Sequence, residues 1–204
     1  MERFEDGHED ISGITGTDDV RMNIQEDRVL VVEGADKLHK SKWWRNHTMA
    51  LKFRTIDAIL DREHFVNFRR DAFHVSFGHE DNFDEQEYAA LIAARTQEFP
   101  EGYVMIEDNG RVVGQIEIHP RDFEGKRIGF VSLFYLVSEL RGNGYGRHLT
   151  NYAEDVFRRH GVDEYHLRVS PTNEFAVRFY EKCGLVKIRE EQHQHVMWRM
   201  GKHI

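Results

Sequence analysis

The chain has 204 residues, 40% hydrophobic and 31% charged, with a formal net charge of −8 and an isoelectric point near 5.9. That is enough for one well-filled core, and no apolar run approaches the roughly 18 residues of a membrane span. The acidic balance argues against a nucleic-acid-binding surface and is compatible with a cationic amine as substrate. A single cysteine excludes an internal disulfide and suits a reducing, cytoplasmic setting.

Residues 1–48 differ from the rest. Seven basic against eleven acidic side chains leave −4, half of the net charge. The start is acidic and carries no apolar signal-peptide region. Residues 11–17 are rich in Gly and Thr and read as a loop, residues 28–33 as a strand, and Trp43 and Trp44 would bury a large area if docked. A mobile tail, an added strand and flap, and a stretch outside the natural product all remain open. We divide the chain into an acidic extension, 1–48, and a main domain, 49–204.

Within that domain residues 50–56 alternate as a strand. Asp57 or Asp61 caps a helix reaching about Ala72, with Phe65, Phe68 and Ala72 inward. Residues 74–83 read as a polar connection that shapes a binding pocket. A second helix starts near Asp84, places Tyr88, Leu91 and Ile92 inward, and stops at Pro100. Residues 102–107 and 111–118 form a hairpin about Asn109-Gly110. Residues 127–137 are the central strand. A helix with Leu149, Tyr152, Ala153, Val156 and Phe157 on one face follows, then a strand at 164–169. Asn173 opens a last helix, with Ala176, Phe179, Tyr180 and Cys183 inward and Gly184 closing it. Residues 185–189 are a further strand.

The turn Arg141-Gly142-Asn143-Gly144-Tyr145-Gly146 joins the central strand to a helix. Strand, glycine-rich turn and helix, in that order, present backbone N–H groups at a helix N-terminus, which suits phosphate oxygens. No Gly-Lys-Ser/Thr follows, so it is not a Walker loop, and the third glycine is misplaced for a dinucleotide fingerprint.

Together with Asn173 and the string Ala176-Val-Arg-Phe-Tyr-Glu-Lys-Cys-Gly184, this Arg-x-x-Gly-x-Gly turn resembles the GNAT superfamily of acyl-CoA N-acyltransferases, over residues 128–189. The resemblance implies an α/β (α+β) fold with a mixed, mostly antiparallel sheet flanked by about four helices. It implies acetyl-CoA as co-substrate, with its diphosphate on the amides of Gly142, Asn143, Gly144, Tyr145 and Gly146 and added positive charge from Arg141. It implies pantetheine pairing with the backbone of Leu136 and Val137, and a contact from Asn173, whose competing reading is a helix cap. Ser138 stands where many relatives have proline. Tyr180 is the implied general acid for the departing thiolate, its competing reading a core tyrosine. The implied reaction is direct attack of a primary amine, from a small molecule or a peptide, without an acetyl-enzyme. Homodimers occur among relatives.

Several members place a glutamate on the central strand as base; here that strand offers Phe130, Ser132 and Phe134. Glu117 is the substitute. Gln115, Glu117 and His119 alternate and so share one strand face, which reads as a wet cleft or as an ordinary solvated sheet face. Tyr135 and His119 are further candidates. Thirteen histidines lack a compact ligand framework, so no metal is expected, and Cys183 reads as a small core residue. The alternative from another class is a CoA-binding sensor or interaction protein on the same fold, without turnover.

Overall fold

The computed structural model describes residues 51–78, 83–192 and 194–204, and the backbone of residues 30 and 31. Seven strands form one sheet in the order β2-β3-β4-β5-β6-β8-β7. They are β2 (Leu51–Thr55), β3 (Tyr103–Asp108), β4 (Arg111–Phe123), β5 (Lys126–Leu136), β6 (Glu164–Val169), β7 (Val186–Gln192) and β8 (Val196–His203). Every neighbouring pair is antiparallel except β5–β6. The short β1 (Leu30–Val31) pairs in parallel with β5, Leu30 opposite Leu133 and Val31 opposite Phe134. The rest of 1–48, including Trp43 and Trp44, lies outside the described residues.

Helices α1 (Arg62–Phe77) and α2 (Glu85–Glu98) cover one face; α3 (Gly146–Arg159) and α4 (Glu174–Lys182) cover the other. On α3 the buried Leu149, Ala153, Val156 and Phe157 recur at helical spacing and pack on Ile116, Ile118, Val131 and Phe134. On the opposite face Phe65, Phe68, Ala72, Tyr88 and Ile92 pack on Tyr103, Met105, Leu133 and Tyr135. Burial of these side chains from water supplies most of the driving force.

Three sequence-based boundaries move. Helix α1 runs five residues past Ala72, because Phe73 is buried and continues the apolar stripe into a segment that His74 and Gly78 make look like a loop. Gly78 ends it at φ 77°. Strand β4 continues through Pro120 to Phe123 and turns at Glu124-Gly125 into β5. Strand β7 runs on to Gln192 rather than stopping at 189, and His195 lies in the turn that leads into β8; His193 is outside the described residues. The Asn109-Gly110 turn, α2 with its Asp84 cap and the β6–α4 unit stand where the sequence reading put them.

One irregularity positions the site. Glu117 faces Leu133 across β4–β5 while Ile118 faces Val131, so Ser132 is an extra residue, a β-bulge in β5. Pairing between β5 and β6 ends at Val131–Leu167, immediately before it, although the strands run on to Leu136 and Val169. The two strands part there, and on the edge of β5 that β6 gives up the short β1 pairs with Leu133 and Phe134, which leaves the edge from Tyr135 onward without a strand among the described residues.

Candidate active site

The turn after β5 is built on two glycines in the left-handed region. Gly142 has φ 68° and Gly144 φ 87°, conformations that L side chains resist. A Cβ at either position would meet nothing within 4 Å, so the glycines serve the turn's path and leave open space in front of it. Helix α3 then begins with no side-chain cap and no acidic residue in its first turn. Its positive end is therefore left for a ligand anion.

Arg141 points elsewhere. Its side chain is buried; Nε donates to Leu136 O at 2.7 Å, and Nη2 donates to Asp71 Oδ2 at 2.7 Å. Tyr135 Oη donates to the same carboxylate oxygen at 2.8 Å, and burial pushes its phenol pKa up. Arg141 thus ties the turn to α1 and to the end of β5. Asp71 carried no signal in the sequence beyond being an acid on a helix.

Val137 N–H donates to Val113 O at 2.9 Å, toward β4. Strand alternation then turns the N–H and C=O of Leu136 the other way, into the gap between β5 and β6. Leu136 is one of the two residues whose backbone the resemblance pairs with pantetheine. Tyr180 is fully buried on α4, in the same apolar cluster as Leu136. Asn173 caps α4, its Oδ1 accepting from Ala176 N at 3.2 Å. The buried Cys183 has a pKa raised by burial, unlike a nucleophilic thiolate.

Gln115 and Glu117 share a strand face as expected, Gln115 Nε2 donating to Glu117 Oε1 at 2.9 Å. That face is not a wet cleft. Gln115, Glu117 and His119 are 0%, 2% and 8% exposed, because α1 and α2 seal them. Glu117 Oε1 also accepts from Tyr88 Oη, and Oε2 lies 3.7 Å from Nη1 of the buried Arg69. Burial and the adjacent Glu117 raise the Tyr88 pKa well above its ordinary value, so the phenol stays a donor. His119 Nδ1 is 3.4 Å from Tyr103 Oη. Arg69 and Tyr88 were missed as site-shaping residues. A signal existed for Arg69: it stands four residues from both Phe65 and Phe73, a cation in an apolar stripe.

A cleft of about 600 Å³ opens between the end of α1, the β6–α4 loop and the β7–β8 turn. Ser76, Phe77, Ser170, Thr172, Gln192 and His195 are among its walls. Phe77 and His195 stack across it at 4.8 Å between ring centroids. Residues 75–78 of the expected pocket-shaping segment line it; 79–82 lie outside the described residues. Among the described residues no three His, Cys, Asp or Glu side chains group as a metal site, and no helix is long and apolar enough to cross a membrane.

Parted parallel strands beside a glycine turn and an uncapped helix, on an α/β fold, are the arrangement that the family resemblance led us to expect. The acetyltransferase (GNAT) family model matches residues 62–185, and the chain belongs to that family. It is 29% identical to N-alpha-acetyltransferase 30 of Schizosaccharomyces pombe over 93 residues, 45% of this chain and 62% of that protein, and so spans less than two thirds of that relative's length. Arabidopsis thaliana Naa50, in complex with the bisubstrate analogue CoA-Ac-MVNAL, is similar in fold: TM-score 0.57 and 20% identity, over 76% of this chain and 99% of that one. Spermidine N-acetyltransferase from Vibrio cholerae, in complex with CoA and spermine, gives TM-score 0.60 and 19% identity, over 75% and 95%.

Proposed function

We propose that the chain transfers an acetyl group from acetyl-CoA to the α-amino group of a polypeptide. The observation that carries the transfer is the open Gly142–Gly144 turn at an uncapped α3, beside the parted ends of β5 and β6. The amides of Gly142 to Gly146 hold the diphosphate. Leu136 N–H donates to the thioester carbonyl as it becomes tetrahedral. Tyr180 gives its phenolic proton to the sulfur as the C–S bond breaks. The neutral amine nitrogen attacks directly, since the buried Cys183 offers no acyl-carrying thiolate, and the proton that nitrogen loses as the amide forms passes to water and restores the Tyr180 phenol.

Two features support a peptide α-amine. Glu117, the carboxylate expected as base, already accepts from Tyr88 and Gln115 and faces Arg69, so we assign it to the framework. A site without a strong base favours an amine already partly neutral. At pH 7 an α-amine of pKa near 7.8 is about 15% neutral, against about 0.04% for a lysine amine. The N-alpha-acetyltransferase among the relatives supports the same reading.

Thiol release from acetyl-CoA tests it, with a free-amino peptide, the same peptide blocked at its N-terminus but carrying lysine, and spermidine. The expected order puts the free-amino peptide first. Tyr180→Phe is expected to lower kcat about 10²-fold or more with CoA affinity unchanged. Calorimetric binding of CoA without thiol release from any amine would instead favour the sensor reading.

A further inference from the structure

We propose that Arg69 is a positioning residue that holds the β5 bulge, and through it aims the Leu136 amide at the reacting carbonyl; this rests on the transfer reading above. Arg69 projects from the inner face of α1 and is 1% exposed. Its Nη1 donates to Ser132 O at 3.2 Å. Ser132 is the extra residue of β5, so its carbonyl sits where the β4–β5 ladder is broken, and a buried carbonyl there needs a donor. Arg69 supplies one with a full charge behind it, which makes a stronger hydrogen bond than a neutral donor. Glu117, 3.7 Å away on β4, balances that charge. The faces of Phe73 and Tyr88, each 5.4 Å from the guanidinium carbon, hold the group in place.

The location gives this pin its consequence. Val131, just before the bulge, is the last β5 residue paired with β6; Leu136, four residues after it, is turned into the gap. The bulge therefore sets the direction in which the ligand-facing end of β5 turns away from β6 while it stays paired with β4. Arg141 fixes the other end of the same segment by its bond to Leu136 O. A donor amide displaced by about an ångström loses much of its effect on a developing oxyanion. Arg69 touches no substrate and acts through the strand.

Removing Arg69 alone strands a buried carboxylate, so a loss of activity could reflect instability only. The decisive variant is Arg69→Met/Glu117→Gln, which removes both charges and still leaves Ser132 O without its donor. With Glu117→Gln alone as control, the double variant is expected to regain most of the melting temperature lost by Arg69→Met. Its kcat is expected to stay at least tenfold low, with CoA affinity within about threefold of the original chain. In amide NMR the Leu133–Leu136 resonances are expected to move and lose exchange protection, while those of Leu167 and Val169 stay. Recovery of kcat together with stability would overturn the proposal. So would Glu117→Gln alone losing as much turnover as the double variant, since that would return the carboxylate to the role of base. A chain inactive towards every amine would remove the transfer reading and leave the amide shifts to decide the pin; unmoved Leu133–Leu136 resonances would overturn it. Should the double variant not fold, Arg69→Lys, which keeps the charge with a single-point donor, is read by the same shifts.

Discussion

Arg141 and Asp71, 70 residues apart in the chain, meet in a 2.7 Å ion pair that ties the glycine turn to helix α1. The arginine is buried while the aspartate is 42% exposed, so the pair is half solvated and contributes modestly to stability. Its effect lies in geometry: the same guanidinium holds Leu136 O. Asp71→Asn is expected to weaken CoA binding three- to tenfold by calorimetry while moving the melting temperature by less than about 2 °C.

The turn itself is tested by glycine. Gly144→Ala places a Cβ at φ 87°, with open space around it, so the cost is backbone strain of roughly 1–2 kcal/mol. That corresponds to a fall of about 2–8 °C in melting temperature. Gly78→Ala, at φ 77° and equally open, matches the strain at the end of α1. Both variants should lose similar stability, and only Gly144→Ala should lose CoA affinity.

The stacked Phe77 and His195 bridge the two rims of the cleft. Phe77→Ala is expected to raise KM for a peptide acceptor about fivefold or more and to leave KM for acetyl-CoA in place. A rise in the acetyl-CoA value alone would move the acceptor path out of this cleft.

Acid stability follows from two neighbours on β6. Lys126, and then His166, hold Glu164 down at about 2 from an ordinary value of 4.5, the lysine bond being the stronger cause. Burial holds His166 below its ordinary 6.5. Both folded values are depressed, so each group's contribution is present above its unfolded value and lost as pH falls through the folded one. Melting temperature should therefore decline below about pH 6.5 as His166 takes a proton, then again between about 4.5 and 2 as Glu164 does. His166→Gln should flatten the first decline and spare the second.

Local pattern made the fold legible where one face of an element meets one core. Leu149, Ala153, Val156 and Phe157 announce α3, and Asn109-Gly110 announces the β3–β4 turn, because helix period and turn chemistry act over a few residues. The last turn of α1 was missed because His74 and Gly78 mask the apolar Phe73 and Phe77 between them. Of the candidate site, the glycine turn was readable from local order, whereas Leu136 and Tyr180 were reached only through the family resemblance. Glu117 was found as a residue, yet its surroundings were not: Tyr88 and Arg69 reach it from α2 and α1, and no spacing along the chain records that.

The amino-acid order alone determined an acidic α/β chain with a glycine-rich turn between a strand and a helix, since propensity, period and glycine dihedrals are short-range. Tertiary structure alone decided that Arg141 turns inward to Asp71, that Glu117 is sealed beneath two helices, and that β5 leaves β6 at Ser132. Those outcomes depend on which distant side chains share a buried volume, where an unpaired charge or carbonyl is too costly to leave alone.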